Sequence, residues 1–154
     1  MLFGLVFILS LSAASFFTLV PAKTAAAAPV PFTGYYYNNM MLSGTPALTR
    51  LDPTINFAWG TGSPAPRRIR ADNFSVRWTM TTYLSAGQYR FMVTADDGVR
   101  LYLDGAPIID HWVDQGATTY SRTIWLSQGM HSLTIEYYEH TGLATAKFSF
   151  QRIS

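Results

Sequence analysis

Cysteine is absent from the 154 residues. No disulfide braces the chain and no cysteine nucleophile is available, so burial of apolar surface must supply the stability. Charge is sparse as well: 13% of residues are Asp, Glu, Lys or Arg, and the formal net charge is +2. That balance argues against a nucleic-acid footprint, and no nucleic-acid partner is expected. The histidines His111, His131 and His140 lack zinc-ligand spacing, no Gly-x-Ser-x-Gly elbow occurs, and no glycine-rich phosphate loop precedes a helix. No long amphipathic helix, internal repeat or heptad pattern is evident either. A glycosidase needs two carboxylates about 5–9.5 Å apart across a sugar, whereas adjacent aspartates at a turn share one environment. Intrinsic catalysis is therefore not expected.

What is present begins with an apolar run from Leu2 to Val20, relieved only by Gly, Ser and Thr. Followed by Pro21-Ala22-Lys23 and then Ala25 to Ala28, it reads as a secretory signal peptide over residues 1–28. Residues 29–33 then form a short linker and residues 34–154 a single domain. No Lys or Arg precedes the run, and its length approaches the roughly 20 residues that span a bilayer, so an uncleaved anchor is the alternative. In either case the domain faces outward, secreted or at the cell surface, with membrane contact only if the leader stays attached.

From Gly34 onward, period-two alternation bounded by turn residues predicts an all-β sandwich or barrel. Tyr89, Phe91 and Val93, then Val99, Leu101 and Leu103, predict a hairpin folded at Asp96-Asp97-Gly98. Asp104-Gly105 predicts a tight turn into Pro107-Ile108-Ile109. Thr119 to Leu126 and Leu133 to Tyr137 predict a second hairpin around Ser127-Gln128-Gly129, and Ala144, Ala146, Phe148 and Phe150 mark the apolar face of a last strand. Leu51 to Trp78, rich in Pro, Gly and Asn, reads as a long ordered loop pinned by Phe57, Trp59, Phe74 and Trp78, with a strand emerging at Phe74. Within the tyrosine runs, Tyr36 and Tyr137 are assigned to the core. Arg67-Arg68-Ile69-Arg70 is either a contact for phosphate or an acidic glycan, or a solvated loop.

Asp96-Asp97 carries the most chemistry. Successive strand side chains point to opposite faces, so two adjacent carboxylates converge on one cation only where the backbone leaves strand geometry, as at a cis peptide. The alternative is a polar turn in which Asp accepts local N–H bonds and Gly supplies positive φ.

An ordered set of motifs extends this. Gly34-Tyr35-Tyr36-Tyr37-Asn38-Asn39, Arg50-Leu51-Asp52-Pro53, Trp59-Gly60-Thr61-Gly62 and Asp72-Asn73-Phe74-Ser75-Val76-Arg77-Trp78 are followed by Gly87-Gln88-Tyr89, Asp96-Asp97-Gly98-Val99-Arg100-Leu101 and Asp104-Gly105. Ile109-Asp110-His111-Trp112, Gly129-Met130-His131 and Glu136-Tyr137-Tyr138-Glu139 complete it. In order and spacing the chain resembles the PA14 domain family, whose members include modules of yeast flocculins and of bacterial glycosidases. The resemblance implies an antiparallel β-sandwich or barrel and a non-catalytic carbohydrate-binding module, lectin-like and suited to cell adhesion. In the flocculin branch a cis Asp-Asp pair holds calcium that also coordinates glycan hydroxyls, and Asp96 and Asp97 match that pair. The second ligand loop corresponds to Glu139-His140-Thr141-Gly142-Leu143, with His140 where that branch has Asn, a poorer calcium ligand. Candidate ligand-binding residues are Asp96, Asp97, His140, Thr141 and Gly142, with Asp110 and Asp114 flanking Trp112. Tyr102, Trp112 and Tyr138 either stack on sugar rings or cover the core. The rival expectation is a structural or protein-interaction module of the cell surface that binds no sugar.

Overall fold

Where apolar residues recur at every second position, a strand gains one buried face, and two such faces packed together make a core without helices. The computed structural model describes residues 30–154, none of them helical; the leader read at residues 1–28 lies outside the described residues. Ten strands follow in order: β1 (Phe32–Tyr37), β2 (Leu48–Asp52), β3 (Asn56–Gly60), β4 (Phe74–Leu84), β5 (Gly87–Asp96), β6 (Gly98–Leu103), β7 (Ala106–His111), β8 (Thr118–Leu126), β9 (Gly129–Glu139) and β10 (Ala144–Arg152). They form a six-stranded sheet, β2-β1-β4-β9-β6-β7, and a four-stranded sheet, β3-β10-β5-β8. Every pairing is antiparallel. The fold is the all-β sandwich that the alternation predicts. Its first strand already includes Phe32 and Thr33, two residues assigned to the linker, and Phe32 is buried.

Three expectations about connectivity are corrected. The strands on either side of Asp96-Asp97-Gly98 are not a hairpin: β5 pairs with β10 and β8, whereas β6 pairs with β9 and β7 in the opposite sheet. The corner carries the chain across the sandwich. Likewise β8 and β9 flank Ser127-Gln128 but belong to different sheets. Alternation reports that a strand has one apolar face, and strands facing each other across a core show the same pattern as strands side by side. The third correction is β3, a strand inside the stretch read as loop. Its Phe57 and Trp59 do pin that stretch, stacking at 4.8 Å on each other and reaching Trp78 and Phe74 at 5.9 and 5.7 Å. The Asp104-Gly105 turn is as expected, with φ of 50° and 79° at the two central residues of the β6–β7 hairpin.

Tyr36, Trp78 and Tyr137 are fully buried in the shared core. Beside them lies a carboxylate, Asp52, only 4% exposed. A buried charge costs several kcal/mol unless it is paired, and Asp52 is paired threefold. Tyr36 Oη and Trp78 Nε1 donate to its Oδ2 at 2.6 and 2.8 Å, and Arg50 Nε donates to its Oδ1 at 2.7 Å.

A second polar staple joins the β6–β7 turn to β9. The His131 ring places Nδ1 2.7 Å from Asp104 Oδ2 and Nε2 3.0 Å from the Ser127 carbonyl oxygen. Both nitrogens face acceptors, so the imidazolium, with two N–H donors, is the form this site satisfies. The bond to Ser127, then Asp104, raises the His131 pKa above its ordinary value, against the effect of burial. A raised histidine pKa contributes stability that is fully present below about pH 6.5 and is lost as pH rises through the folded-state value. Replacing His131 by Ala is expected to cost about 1–2 kcal/mol at pH 5.5 and clearly less at pH 9, as measured by urea unfolding at both pH values. An equal cost at both would show that the ring acts by packing alone.

Candidate functional site

Loops at one end of the sandwich converge on the Asp96-Asp97 corner. The peptide joining the two residues is cis. Asp97 is 6% exposed and is gripped by two of the loops. Its Oδ1 accepts from Gln115 N at 3.0 Å, in the loop between β7 and β8, and its Oδ2 accepts from His140 N at 2.8 Å, in the loop between β9 and β10. Gln115 Nε2 also donates to the Asp97 carbonyl at 3.0 Å, and Gln115 Oε1 accepts from Tyr120 Oη at 2.6 Å. Asp96 is only partly buried.

The third carboxylate is one the sequence argument passed over. Glu139, the last residue of β9, is 0% exposed, and one oxygen each from Asp96, Asp97 and Glu139 lie within 4.8 Å of one another. Glu139 Oε1 is buried with no hydrogen-bond partner. Its Oε2 lies 3.2 Å from Tyr137 Oη, whose single proton is also within reach of the Asp96 carbonyl oxygen. Burial, then the charge of Asp97, pushes the Glu139 pKa up to about 8. Asp96 is raised too, by burial and then by Asp97, against a hydrogen bond from the Ala117 backbone. A signal for Glu139 did exist: alternation places it on the inward face with Ile135 and Tyr137, where a carboxylate needs a reason.

The protein's other buried carboxylates show what is missing here. Asp52 has Arg50, and Glu136 has Arg77 at 2.8 Å and Arg100 at 3.7 Å. Among the described residues no Lys or Arg forms an ion pair with Asp96, Asp97 or Glu139. Three carboxylates with a shared focus, one orphaned buried oxygen and no cationic side chain form a donor set that fits a hard cation such as calcium.

The remaining candidate residues divide into two groups. Asp114, His140, Thr141 and Gly142 border the corner. Asp114 Oδ1 accepts from Tyr138 Oη at 2.7 Å, and its Oδ2 meets His140 Nδ1 at 2.9 Å. The bond from Tyr138, then the one to His140, lowers the Asp114 pKa, and Asp114 in turn raises that of His140. The His140 ring is thus turned to Asp114 and lies outside the cluster of Asp96, Asp97 and Glu139. Gly142 N donates to Asp72 Oδ1 at 3.3 Å, tying the loop to the segment before β4. Tyr102 and Asp110 are not brought to the corner. Tyr102 lies four residues along β6 from Gly98, about 13 Å at strand rise, with its hydroxyl 3.4 Å from Glu136 Oε2. Asp110 accepts from Arg100 Nε at 3.1 Å on the open face of the six-stranded sheet.

Of the aromatic candidates, Tyr138 takes the covering role. Tyr138 is 6% exposed and lies over Gly98, where a Cβ would overlap its ring. Trp112 packs edge to face on Tyr138 at 4.7 Å, and the Arg100 guanidinium lies over the Trp112 ring at 4.3 Å. Tyr138 offers no bare face beside the carboxylates, while Trp112 is half-buried.

Comparison with known proteins adds three likenesses. The anti-sigma-I factor RsgI3 of Acetivibrio thermocellus is 43% identical over 116 residues, which is 74% of this chain and 18% of that protein. This chain thus spans less than a fifth of the length of the curated relative it matches. The solved structure of an anti-sigma factor domain-containing protein superposes with a TM-score of 0.75 at 39% identity, over 81% of this chain and 44% of that one. A PA14 sugar-binding domain from an RTX adhesin superposes with a TM-score of 0.67 at 21% identity, over 81% and 91% of the two chains, and shares the fold. The profile of the PA14 domain matches residues 28–152, which takes in all ten strands and the corner between β5 and β6. The chain belongs to the PA14 domain family.

Proposed function

We propose that this chain is an exported, non-catalytic carbohydrate-binding module that recognises sugar hydroxyls at the Asp96-Asp97 corner with the help of calcium. One observation carries the proposal: three carboxylates meet within 4.8 Å, one of them wholly buried with an unpartnered oxygen, and among the described residues no Lys or Arg pairs with them. Asp96, Asp97 and Glu139 would hold the ion. Calcium accepts six to eight oxygens, so beyond three carboxylates it supplies positions that vicinal hydroxyls can fill.

The chain's own residues prepare that surface. Gln115 N and His140 N orient the Asp97 carboxylate before any ligand arrives, which lowers the ordering cost of binding. Thr141, Gly142 and Leu143 are exposed in the β9–β10 loop, and Val113 is exposed in the β7–β8 loop. The sugar-binding PA14 domain of the RTX adhesin supports the ligand class. The likeness to anti-sigma factors supports a module whose occupancy is reported to a signalling partner, with no bond broken in the sugar.

A glycan array probed with and without a chelator tests this. Binding to a subset of sugars that disappears on chelation is the expected result. An array blank in both arms would overturn it in favour of a protein-interaction module.

A further inference from the structure

Beside the corner, three arginines stand without partners. Arg67, Arg68 and Arg70 are exposed, and among the described residues none of their guanidinium groups forms an ion pair or a hydrogen bond. The loop that carries them is nevertheless locked. Ala65 O accepts from both Arg68 N and Ile69 N at 3.0 and 2.9 Å, and Ile69 is 3% exposed, plugged into the core. Asn38 spans the loop, donating from Nδ2 to Arg68 O and accepting at Oδ1 from Arg70 N, each at 2.9 Å. Ser63 Oγ donates to Ile69 O. A loop held this firmly presents its three arginines from fixed backbone positions, whereas a merely solvated basic run needs no such bracing.

Arg70 also borders a groove of about 350 Å³ together with Asn38, Asn39, Met40, Met41 and Asn73. The amides of Asn38 and Asn39 are spent on the loop and on the 39–43 turn. The Arg70 guanidinium and the Asn73 side-chain amide have no hydrogen-bond partner among the described residues, and the groove's apolar lining includes Met41, 75% exposed. The groove is wired to the carboxylate corner, since Asn73 N donates to His140 O at 2.9 Å while His140 N donates to Asp97. One end of the sandwich therefore carries two opposite features side by side: an acidic focus that fits a cation, and a rigid, unpaired basic loop beside a groove.

We infer that the groove and the Arg67-Arg68-Arg70 loop form a second subsite, which takes the anionic group of an acidic glycan whose hydroxyls occupy the Asp96-Asp97 corner. The inference rests on the carbohydrate-binding function proposed above and adds the class of sugar. Guanidinium groups pair with planar carboxylates and with sulfates through charge-assisted hydrogen bonds. The methionine side chains of the lining suit the C–H face of a sugar ring.

Titration calorimetry in calcium at about 0.15 M salt, where exposed charges are already screened, decides the matter with three probes. They are a soluble oligouronide, the same oligosaccharide with its carboxylates reduced to alcohols, and the reduced chain bearing sulfate. The expected result is about ten-fold tighter binding of the oligouronide than of its reduced form. The Arg67→Gln, Arg68→Gln, Arg70→Gln triple variant should erase that preference while leaving affinity for the reduced form and the unfolding temperature unchanged, because the three side chains have no partners to lose. Recovery of affinity by sulfate would assign the subsite to anionic sugars generally, and its absence to uronates. Equal affinity for charged and reduced forms, or a preference that survives the triple substitution, would overturn the subsite and leave the proposed function standing. Failure of all three probes to bind would overturn the subsite as well, and the proposed function would then stand or fall by the glycan array.

Discussion

Calcium is expected to raise the unfolding temperature of this protein by about 10 °C at pH 8, and a chelator to reverse the rise. At about one hundred times its dissociation constant, a ligand that binds only the folded state contributes about 2.7 kcal/mol. For a domain of this size that corresponds to about 8–12 °C. The pH dependence is the sharper test. Glu139 titrates at about 8 in the folded protein, because burial and the Asp97 and Asp96 charges oppose its ionisation, against about 4.3 in an unfolded chain. A carboxyl with a raised folded-state pKa takes up a proton on folding. Without metal, stability therefore falls as pH rises from about 4.3 to about 8, by on the order of 3–5 kcal/mol once the group is fully ionised. A bound cation removes that loss, so the calcium-induced shift should grow from small at pH 5 to its largest near pH 8. Nearly one proton should be released per ion bound at pH 7, measurable from the buffer dependence of the binding heat. Glu139→Gln separates the two effects. The neutral amide should make the metal-free protein more stable than wild type at pH 8 while weakening calcium binding. A melting curve indifferent to calcium and chelator at pH 8 would rule out the cation site.

Much of this molecule is visible in the order of its residues, and what is hidden is hidden for physical reasons. The strand positions follow from alternation because a half-buried strand must repeat every two residues. Tyr36 and Tyr137 fall inward as that repeat demands, and both are fully buried. Alternation says nothing of partners, which is why the chain seems to double back at Asp96-Asp97-Gly98 when it in fact crosses to the other sheet. Strand β3 escapes notice because Asn56–Gly60 is short, ends in glycine and stands among Pro and Gly. Paired carboxylates at 96 and 97 are legible as chemistry; alternation also turns Glu139 inward, but only the register of β9 shows that it meets them. The direction of the His140 ring is hidden for a similar reason: a motif assigns the backbone position, and Asp114, contributed by a different loop, decides where the ring points.

Substitutions at the two aspartates should part company, although both carboxylates belong to one cluster. Asp96→Asn removes a charged ligand while the rest of the scaffold keeps its bonds. Calcium affinity should fall at least about 100-fold, since affinity follows the number of charged ligands and their orientation, and glycan binding should fall with it. Asp97→Asn should do the same and more. Both Asp97 oxygens accept backbone N–H groups, one from Gln115 and one from His140. An asparagine must turn its NH₂ against one of those donors, losing a bond and leaving a buried N–H unpaired at about 1–3 kcal/mol. One of the two loops then comes loose, and amide hydrogen exchange should show it as lost protection at Gln115 or His140 that is not seen in Asp96→Asn. The double replacement of Asp96 and Asp97 by Ala should abolish glycan binding while the far-ultraviolet circular dichroism of the sheets persists. The reason is that the core around Trp78 and Phe91 is built from apolar side chains of both sheets, and neither Asp96 nor Asp97 is among them. If the double variant unfolds outright, the pair is a structural turn in the crossing between sheets, and the case for a ligand at this corner falls with it.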